Sequence, residues 1–399
     1  MKILVICEMP DFALDQLRAL GCETVYKPNL AADALRMALA DTGILVVGSG
    51  RVSADLISSA HSLQLIVRRG AGPANIAVEE ASAQGVFVAD CNEQHATAVA
   101  ELGLGLLIAL DRRIVENTLA LREGRWSRAE LAAARGLCGR TLGLLGYGAA
   151  GRMTAQRAHG FGMNVIAWES GGNVADAHDS EIEHCNWPRE LAGGSDAVML
   201  MPAVEGHDEV IVDAEFLAAM RPGAAFVHLG PPGVVDAAAL AEAVRTRHLR
   251  VAIDSHAAEP TADVARFTSS LLALPGVIGT QHIGALTDQA RDATAAEAVR
   301  VIRKFLVSGE CANCLNLLDR TPATWQLVLR VRDQVGVMAS ILDAIRADGI
   351  NAEEITSRVF TGAKAASCII AIDERPSREA LDAIRALPDV LHLELRALV

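Results

Sequence analysis

The feature that most restricts what this chain can fold into is Gly146-Tyr147-Gly148-Ala149-Ala150-Gly151. It closes an apolar run, Thr141–Leu145, and opens an Ala-rich stretch, Arg152–Phe161, that reads as a helix. A second apolar run, Asn164–Trp168, ends at Glu169, 23 residues after the first glycine. Strand, glycine turn, helix, strand and acid, in that order, describe a dinucleotide-binding unit. The first two glycines let the backbone turn tightly and approach a pyrophosphate, and the third lets the helix pack closely on the strand. The helix N-terminus, entered through Ala149 and Ala150, offers unbonded N–H groups and a positive dipole end to phosphates. Glu169 is expected to bond the ribose hydroxyls and repel a 2′-phosphate. Ser170-Gly171-Gly172 brings no arginine to hold one, so NAD is favoured over NADP.

This turn sits in the middle of a 399-residue chain, a length that predicts two to three domains. Before it, Ile3–Cys7, Ile44–Val47, Leu65–Val67 and Val86–Val88 read as strands separated by helical patches, the rhythm of a parallel sheet. One long amphipathic helix is expected from Thr97 to Arg122, with Ala100, Leu104, Leu107 and Ile108 apolar enough for a core or a subunit interface. After the turn come strands at Ala197–Met201, Ala225–Leu229, Val251–Asp254 and Val277–Gly279, then a helix over Asp288–Leu306. The expected fold class is α/β, with two Rossmann-like or flavodoxin-like domains. A nucleotide domain (97–284) is inserted into a discontinuous first domain (1–96 and 285–318). The tail, 323–399, reads strand, helix, strand, strand, helix, strand, a ferredoxin-like βαββαβ module.

A net charge of −13 with no basic run excludes a nucleic-acid surface. Eight scattered cysteines read as reduced thiols, and Met1–Cys7 meets Glu8 and Asp11 too soon to be a signal peptide. No apolar stretch of about 18 residues lacks charge, so no membrane span is expected and the protein is placed in the cytoplasm. Cys311-Ala312-Asn313-Cys314 has CxxC spacing without a second ligand pair, so no metal is expected.

Two strand ends carry candidate chemistry, Asp254-Ser-His-Ala-Ala-Glu259-Pro260 and Thr280-Gln-His282-Ile-Gly284. Open α/β sheets bind ligands at the carboxyl ends of their strands. A histidine backed by a carboxylate handles protons, because the carboxylate orients the ring and stabilises imidazolium. On spacing alone, a single histidine reads more readily as a hydrogen-bonded loop residue.

Taken together, Arg68–Asn75 (RRGAGPAN), Val99-Ala-Glu101, Leu121–Trp126, the glycine turn, Met220–Gly223, Gly233–Asp236, Glu259-Pro260 and His282–Gly284 resemble the D-isomer-specific 2-hydroxyacid dehydrogenases, most closely D-3-phosphoglycerate dehydrogenases. The resemblance implies a small 2-hydroxy or 2-keto acid substrate, NAD as cofactor, a place in serine biosynthesis and a homodimer or homotetramer. It implies His282 as acid/base, Glu259 as its partner and Asp254 at the nicotinamide amide. Leu229 and Gly230 fall on the cofactor side, and Arg68, Arg69, Gly70, Gly72 and Asn75 on the substrate side. The tail resembles the ACT regulatory domain through Asp333–Gly336 and Gly349–Asn351, which implies a possible amino-acid effector.

Two departures bear on function. The family's catalytic arginine aligns with Pro231, which has neither donor nor charge. The missing contact is worth roughly 1.5–3 kcal/mol in binding and about 10²–10³-fold in rate. Arg68 or Arg69 could reach the same space, and His228 is another polar candidate. An alternative is therefore a catalytically impaired NAD-binding regulatory protein. In the tail, Val331 and Asp333 stand where serine-binding modules carry His and Asn, and only Asn351 is retained.

Overall fold

Runs of Val, Ile and Leu between polar turns bury both faces of a strand and call for helices above and below it. The computed structural model describes residues 1–399 apart from 29, 31, 71–74, 170–181, 203–208, 261–263, 319 and 399, and the side chains of 32, 33 and 92. The chain divides into two compact units, Met1–Asn316 and Leu317–Val399.

The first unit holds two parallel sheets. In the first sheet are β1 (Lys2–Val5), β2 (Glu23–Tyr26), β3 (Ile44–Val47), β4 (Leu65–Arg68) and β5 (Phe87–Asp90), in the order β2-β1-β3-β4-β5. Its connecting helices are α1 (Asp11–Arg18), α2 (Ala32–Leu39), α3 (Ala54–Ser58) and α4 (Val78–Ala83). Strand β2 has no counterpart among the expected strands. It is a half-exposed edge of four residues, Glu-Thr-Val-Tyr, with no buried run to mark it.

The predicted single helix over 97–122 is corrected to two, α5 (Ala96–Arg112) and α6 (Ile114–Arg122). The break is Arg113, whose φ of 49° is left-handed and ends the i→i−4 ladder. On α5, Ala100, Leu104 and Leu107 are buried within the unit's own core, whereas Leu119 and Leu121 of α6 are exposed. A short α7 (Arg128–Leu131) follows, and Trp126 before it is 82% exposed.

The second sheet contains β6 (Thr141–Leu145), β7 (Asn164–Trp168), β8 (Glu183–His184), β9 (Ala197–Leu200), β10 (Ala225–His228), β11 (Arg250–Ile253) and β12 (Val277–Gly279). Their order is β12-β11-β10-β9-β6-β7-β8, with the chain reversing direction across the sheet between β6 and β9. That reversal is the switch point at which such sheets open a ligand crevice. Helices α8 (Ala149–Gly160), α9 (Pro188–Gly194), α10 (Ala214–Ala219) and α11 (Ala237–Arg247) cover it. The two-residue β8 is too short to leave a pattern in the sequence.

Helix α12 (Asp288–Ser308) then returns to the first sheet, packing Ala298, Val301, Ile302 and Phe305 into one core with Ile3, Val5, Ile44 and Val67. The Leu315 amide donates to the Val88 carbonyl at 2.7 Å, closing this return.

The second unit has β13 (Trp325–Arg332), α13 (Val337–Ala347), β14 (Ala352–Val359), β15 (Ala365–Ile372), α14 (Arg378–Arg385) and β16 (Val390–Ala397). The sheet is antiparallel, ordered β14-β15-β13-β16. Strict alternation buries Leu327, Leu329 and Val331 of β13 against Ile341 and Ile345 of α13. Gly336 and Gly349, at the two ends of α13, have φ of 91° and 78°.

The seam between α5 and β6 rests on one buried pair. The Asp111 carboxylate, 5% exposed, takes Arg140 Nη1 at 3.1 Å and the Gly136 amide at 3.0 Å. Removing one partner strands the other charge. Asp111→Ala is expected to lower unfolding free energy by about 3 kcal/mol in chemical denaturation. A change below about 1 kcal/mol would show that the pair merely breaks even.

Candidate active site

The glycine turn leaves β6 at the switch point and enters α8. Gly146 has φ of 103°, a conformation that favours glycine. A Cβ on Gly151 would lie 2.7 Å from the Gly146 carbonyl oxygen, so the third glycine is required by close packing of turn on helix. Gly148 caps α8 with no side-chain bond, leaving the amides of Ala149, Ala150 and Gly151 for a ligand. Across the crevice, a Cβ on Gly230 would meet the Met201 carbonyl oxygen at 2.8 Å. Leu229, just before it, is buried. Glu169 follows β7 half-buried. These features fit a dinucleotide, with backbone donors at one end and glycines where side chains would fill the cradle. Residues 170–181, which include Ser170–Gly172, lie outside the described residues.

The acid/base candidates come from the loops after β11 and β12. His282 Nδ1 lies 2.8 Å from Glu259 Oε2, and the His256 amide donates to Glu259 Oε1 at 2.7 Å. Burial opposes charge on Glu259, but those two contacts outweigh it and hold its carboxyl below the usual carboxylate value. The His282 side chain is 57% exposed. The ring stands on a residue with φ of 53°, unusual for a non-glycine and typical of functional sites. Asp254 sets that turn. Its carboxylate, 3% exposed, accepts from Thr280 Oγ1 at 2.5 Å, the Ile283 amide at 2.8 Å and the Gly284 amide at 2.9 Å. Thr280 carries this role without any sequence signal beyond lying two residues before the histidine.

The first sheet supplies the residues after β4. The Arg69 amide donates to the Val47 carbonyl at 2.8 Å, and the Gly70 carbonyl accepts from the Cys91 amide at 3.4 Å. The Asn75 amide nitrogen bonds the Gly48 and Gly50 carbonyls at 3.0 and 2.5 Å, joining two loops at the sheet's carboxyl edge. Arg68 is half-buried, its guanidinium carbon, Nε and Nη2 lying over Gly70. Gly72 lies outside the described residues. His95, which no spacing in the sequence ties to the site, donates from its ring to the Ala285 carbonyl, three residues past His282.

Pro231 has φ of −62° and ψ of 136°, an extended residue that brings the backbone past the site with no N–H. His228, at the end of β10, is 4% exposed and its Nδ1 has no hydrogen-bond partner among the described residues. Burial, with the His256 and His282 rings nearby, pushes its pKa from 6.5 down to about 4. It also lines a cavity of about 550 Å³ with Pro232, Ser255, His256 and Phe267. The folded chain therefore keeps His228 neutral where the unfolded chain protonates it. The stability tied to this neutral burial is whole above pH 6.5 and is lost as pH falls toward 4. Wild type is expected to lose up to about 3 kcal/mol more than His228→Asn between pH 7 and pH 4 in denaturant unfolding. Equal pH slopes for the two proteins would refute this.

Comparison with known proteins places the same residues in a family. The D-isomer specific 2-hydroxyacid dehydrogenase NAD binding domain matches residues 104–284. The hydroxypyruvate reductase of Thermotoga maritima is 34% identical over 284 residues, covering 71% of this chain and 90% of that protein. The D-3-phosphoglycerate dehydrogenase of Methanocaldococcus jannaschii is 32% identical over 318 residues, covering 79% of this chain, and the chain spans 59% of that relative's length. The crystal structure of the TT0316 protein from Thermus thermophilus is similar with a TM-score of 0.66 at 29% identity, over 79% of this chain and all (100%) of that one. No described helix is long and apolar enough to cross a membrane. The chain belongs to the D-isomer-specific 2-hydroxyacid dehydrogenase family.

Proposed function

We propose that this protein is an NAD-dependent oxidoreductase of small 2-hydroxy or 2-keto acids, phosphoglycerate dehydrogenase-like, with His282 as its acid/base and Glu259 as the partner that orients it. The observation that carries this is the 2.8 Å contact between His282 Nδ1 and Glu259 Oε2, on an exposed ring at the carboxyl end of a nucleotide sheet. Family membership and the names of the two relatives support the substrate class.

The pyrophosphate would be held by Gly146, Gly148 and the first-turn amides of α8 (Ala149, Ala150, Gly151), and the ribose by Glu169. The nicotinamide would lie beside Leu229, Gly230 and the Asp254 turn. When bound, the nicotinamide supplies or accepts the hydride. In the reducing direction, His282 holds a proton on Nε2 and gives it to the keto oxygen; in the oxidising direction, it takes that proton from the hydroxyl. Glu259, kept ionised by the His256 amide, faces Nδ1 and fixes the ring so that Nε2 is the nitrogen presented. Arg68, Arg69, Gly70, Gly72 and Asn75 belong to the substrate side of this proposal. Domains at 1–96 with 285–318, 97–284 and 323–399 belong to it too, as does an ACT-like role for the second unit with an amino-acid effector. Self-association is supported by the exposed Leu119, Leu121 and Trp126.

A second reading, an NAD binder that has lost turnover, is favoured by Pro231 alone. The two separate in one experiment. Wild type with NADH is assayed on a panel of 2-keto acids, and His282→Ala is expected to lower kcat by about 10²–10⁴-fold with NADH affinity unchanged. NADH binding with no turnover on any acid would favour the second reading. For the cofactor site, Gly151→Ala is expected to raise the NADH Kd at least about tenfold, roughly 1.4 kcal/mol, by fluorescence titration. Unaltered affinity would place the cofactor elsewhere.

A further inference from the structure

The chain places a CxxC pair just after α12, at Cys311-Ala312-Asn313-Cys314, and neither the dinucleotide cradle nor the acid/base loops use it. These residues fold into a single turn, with Asn313 left-handed at a φ of 53°. A turn of this size brings its first and last Cα atoms within about 7 Å, and a disulfide spans about 4.4–6.8 Å between Cα atoms. The thiols themselves are neighbours. The Cys311 thiol has the Cys314 sulfur within hydrogen-bonding reach and the Ala312 carbonyl at 3.7 Å. The Cys314 thiol donates to Asn316 Oδ1 at 3.3 Å. Both cysteines are only half-buried, whereas Cys7, Cys91, Cys185 and Cys368 are buried away from any reagent in solvent.

The backbone on each side of the pair is fastened. Cys314 bridges to Ala89 of the edge strand β5. The Asp90 amide donates to the Asn313 carbonyl at 3.3 Å, and Asn313 Nδ2 donates to the Asp90 carbonyl at 3.2 Å and to Glu297 Oε1 of α12 at 2.7 Å. Beyond Cys314, Asn316 Oδ1 accepts from the Val88 amide at 2.9 Å and Nδ2 donates to the Val86 carbonyl at 2.9 Å. The turn is thus a clasp between β5 and α12, and it keeps the two sulfurs from swinging apart. Joining groups already held together costs little chain entropy, so the folded protein favours the bond.

We propose that Cys311 and Cys314 form a reversible dithiol–disulfide site, reduced in this structure, that exchanges with a small disulfide of the glutathione type. Burial, with the Cys314 sulfur alongside, pushes the Cys311 thiol up to about 12. Cys311 therefore stays protonated and Cys314 attacks first. Its thiolate forms an S–S bond with one sulfur of the reagent as the reagent's own S–S bond breaks, and the departing thiolate takes up the proton that Cys314 gave. Cys311 then attacks the Cys314 sulfur, and the second reagent thiol leaves with the Cys311 proton. The two protein thiols are oxidised, and one small disulfide is reduced to two thiols. The new bond closes the clasp covalently around Asn313, the residue that holds Asp90 at the end of β5. None of these steps depends on the acid/base reading.

The test equilibrates the full chain with oxidised and reduced glutathione at varied ratios, traps the thiols by alkylation, and maps the peptides by mass. Oxidation is expected at Cys311–Cys314 before any other cysteine, with full reversal by dithiothreitol. The folded protein is expected to be half-oxidised at a ratio of oxidised to reduced glutathione at least about tenfold lower than the same protein in urea. In Cys311→Ser, a glutathione adduct is expected to accumulate on Cys314, because the second attack has no thiol to make it. The wild-type measurements stand whether or not that variant folds. The inference is overturned if folded wild type forms no 311–314 cross-link, if another cysteine is oxidised first, or if the pair needs the same ratio in urea as in the folded state.

Discussion

The site is organised around a carboxylate that its surroundings saturate. Asp254 ends β11 at the carboxyl edge of the second sheet and accepts three bonds, two of them from the backbone of Ile283 and Gly284. Charge-assisted bonds to backbone amides are among the stronger ones available in a protein, and here they are made by a side chain almost wholly out of water. Their consequence is geometric. They fasten the residues directly after His282, and they hold His282 in a left-handed conformation that would otherwise relax. A Cβ on Gly284 would come within 2.9 Å of Asp254 Oδ2, so the turn accepts only glycine at that point. Glu259 then fixes the ring that Asp254 has positioned. Two carboxylates of one loop do different work, one on the backbone and one on the proton-carrying ring.

How much of this can be read in the sequence depends on whether the signal is periodic or conformational. The strand–turn–helix at 141–161 is legible because an apolar strand gives way to an Ala-rich helix across three glycines, the first and third of which have a conformational or steric reason to be glycine. The tail is legible from its periodicity, its eight-residue strands β13 and β15 alternating between buried and more exposed positions. The break at Arg113 is not legible, since arginine carries no mark of a left-handed residue and the apolar spacing runs on through α6. Strands β2 and β8 are short edges whose existence depends on a neighbour that offers free backbone groups. At the site, His282 and Glu259 stand out as residue types, but what Asp254 does is invisible because its partners are amides and a threonine hydroxyl. Amides have no residue identity to read.

The electrostatic pattern of the site follows from the same distinction. His228 is buried deeply enough to be neutral at physiological pH, and His95 is pressed the same way by burial and by the arginines beside it. Burial disfavours the charged form of both rings. At the end of β4 two arginines, Arg68 and Arg69, follow one another, and Arg69 has buried nitrogens without acceptors among the described residues. Pro231, extended after β10, brings neither a donor nor a charge to the carboxyl end of the second sheet.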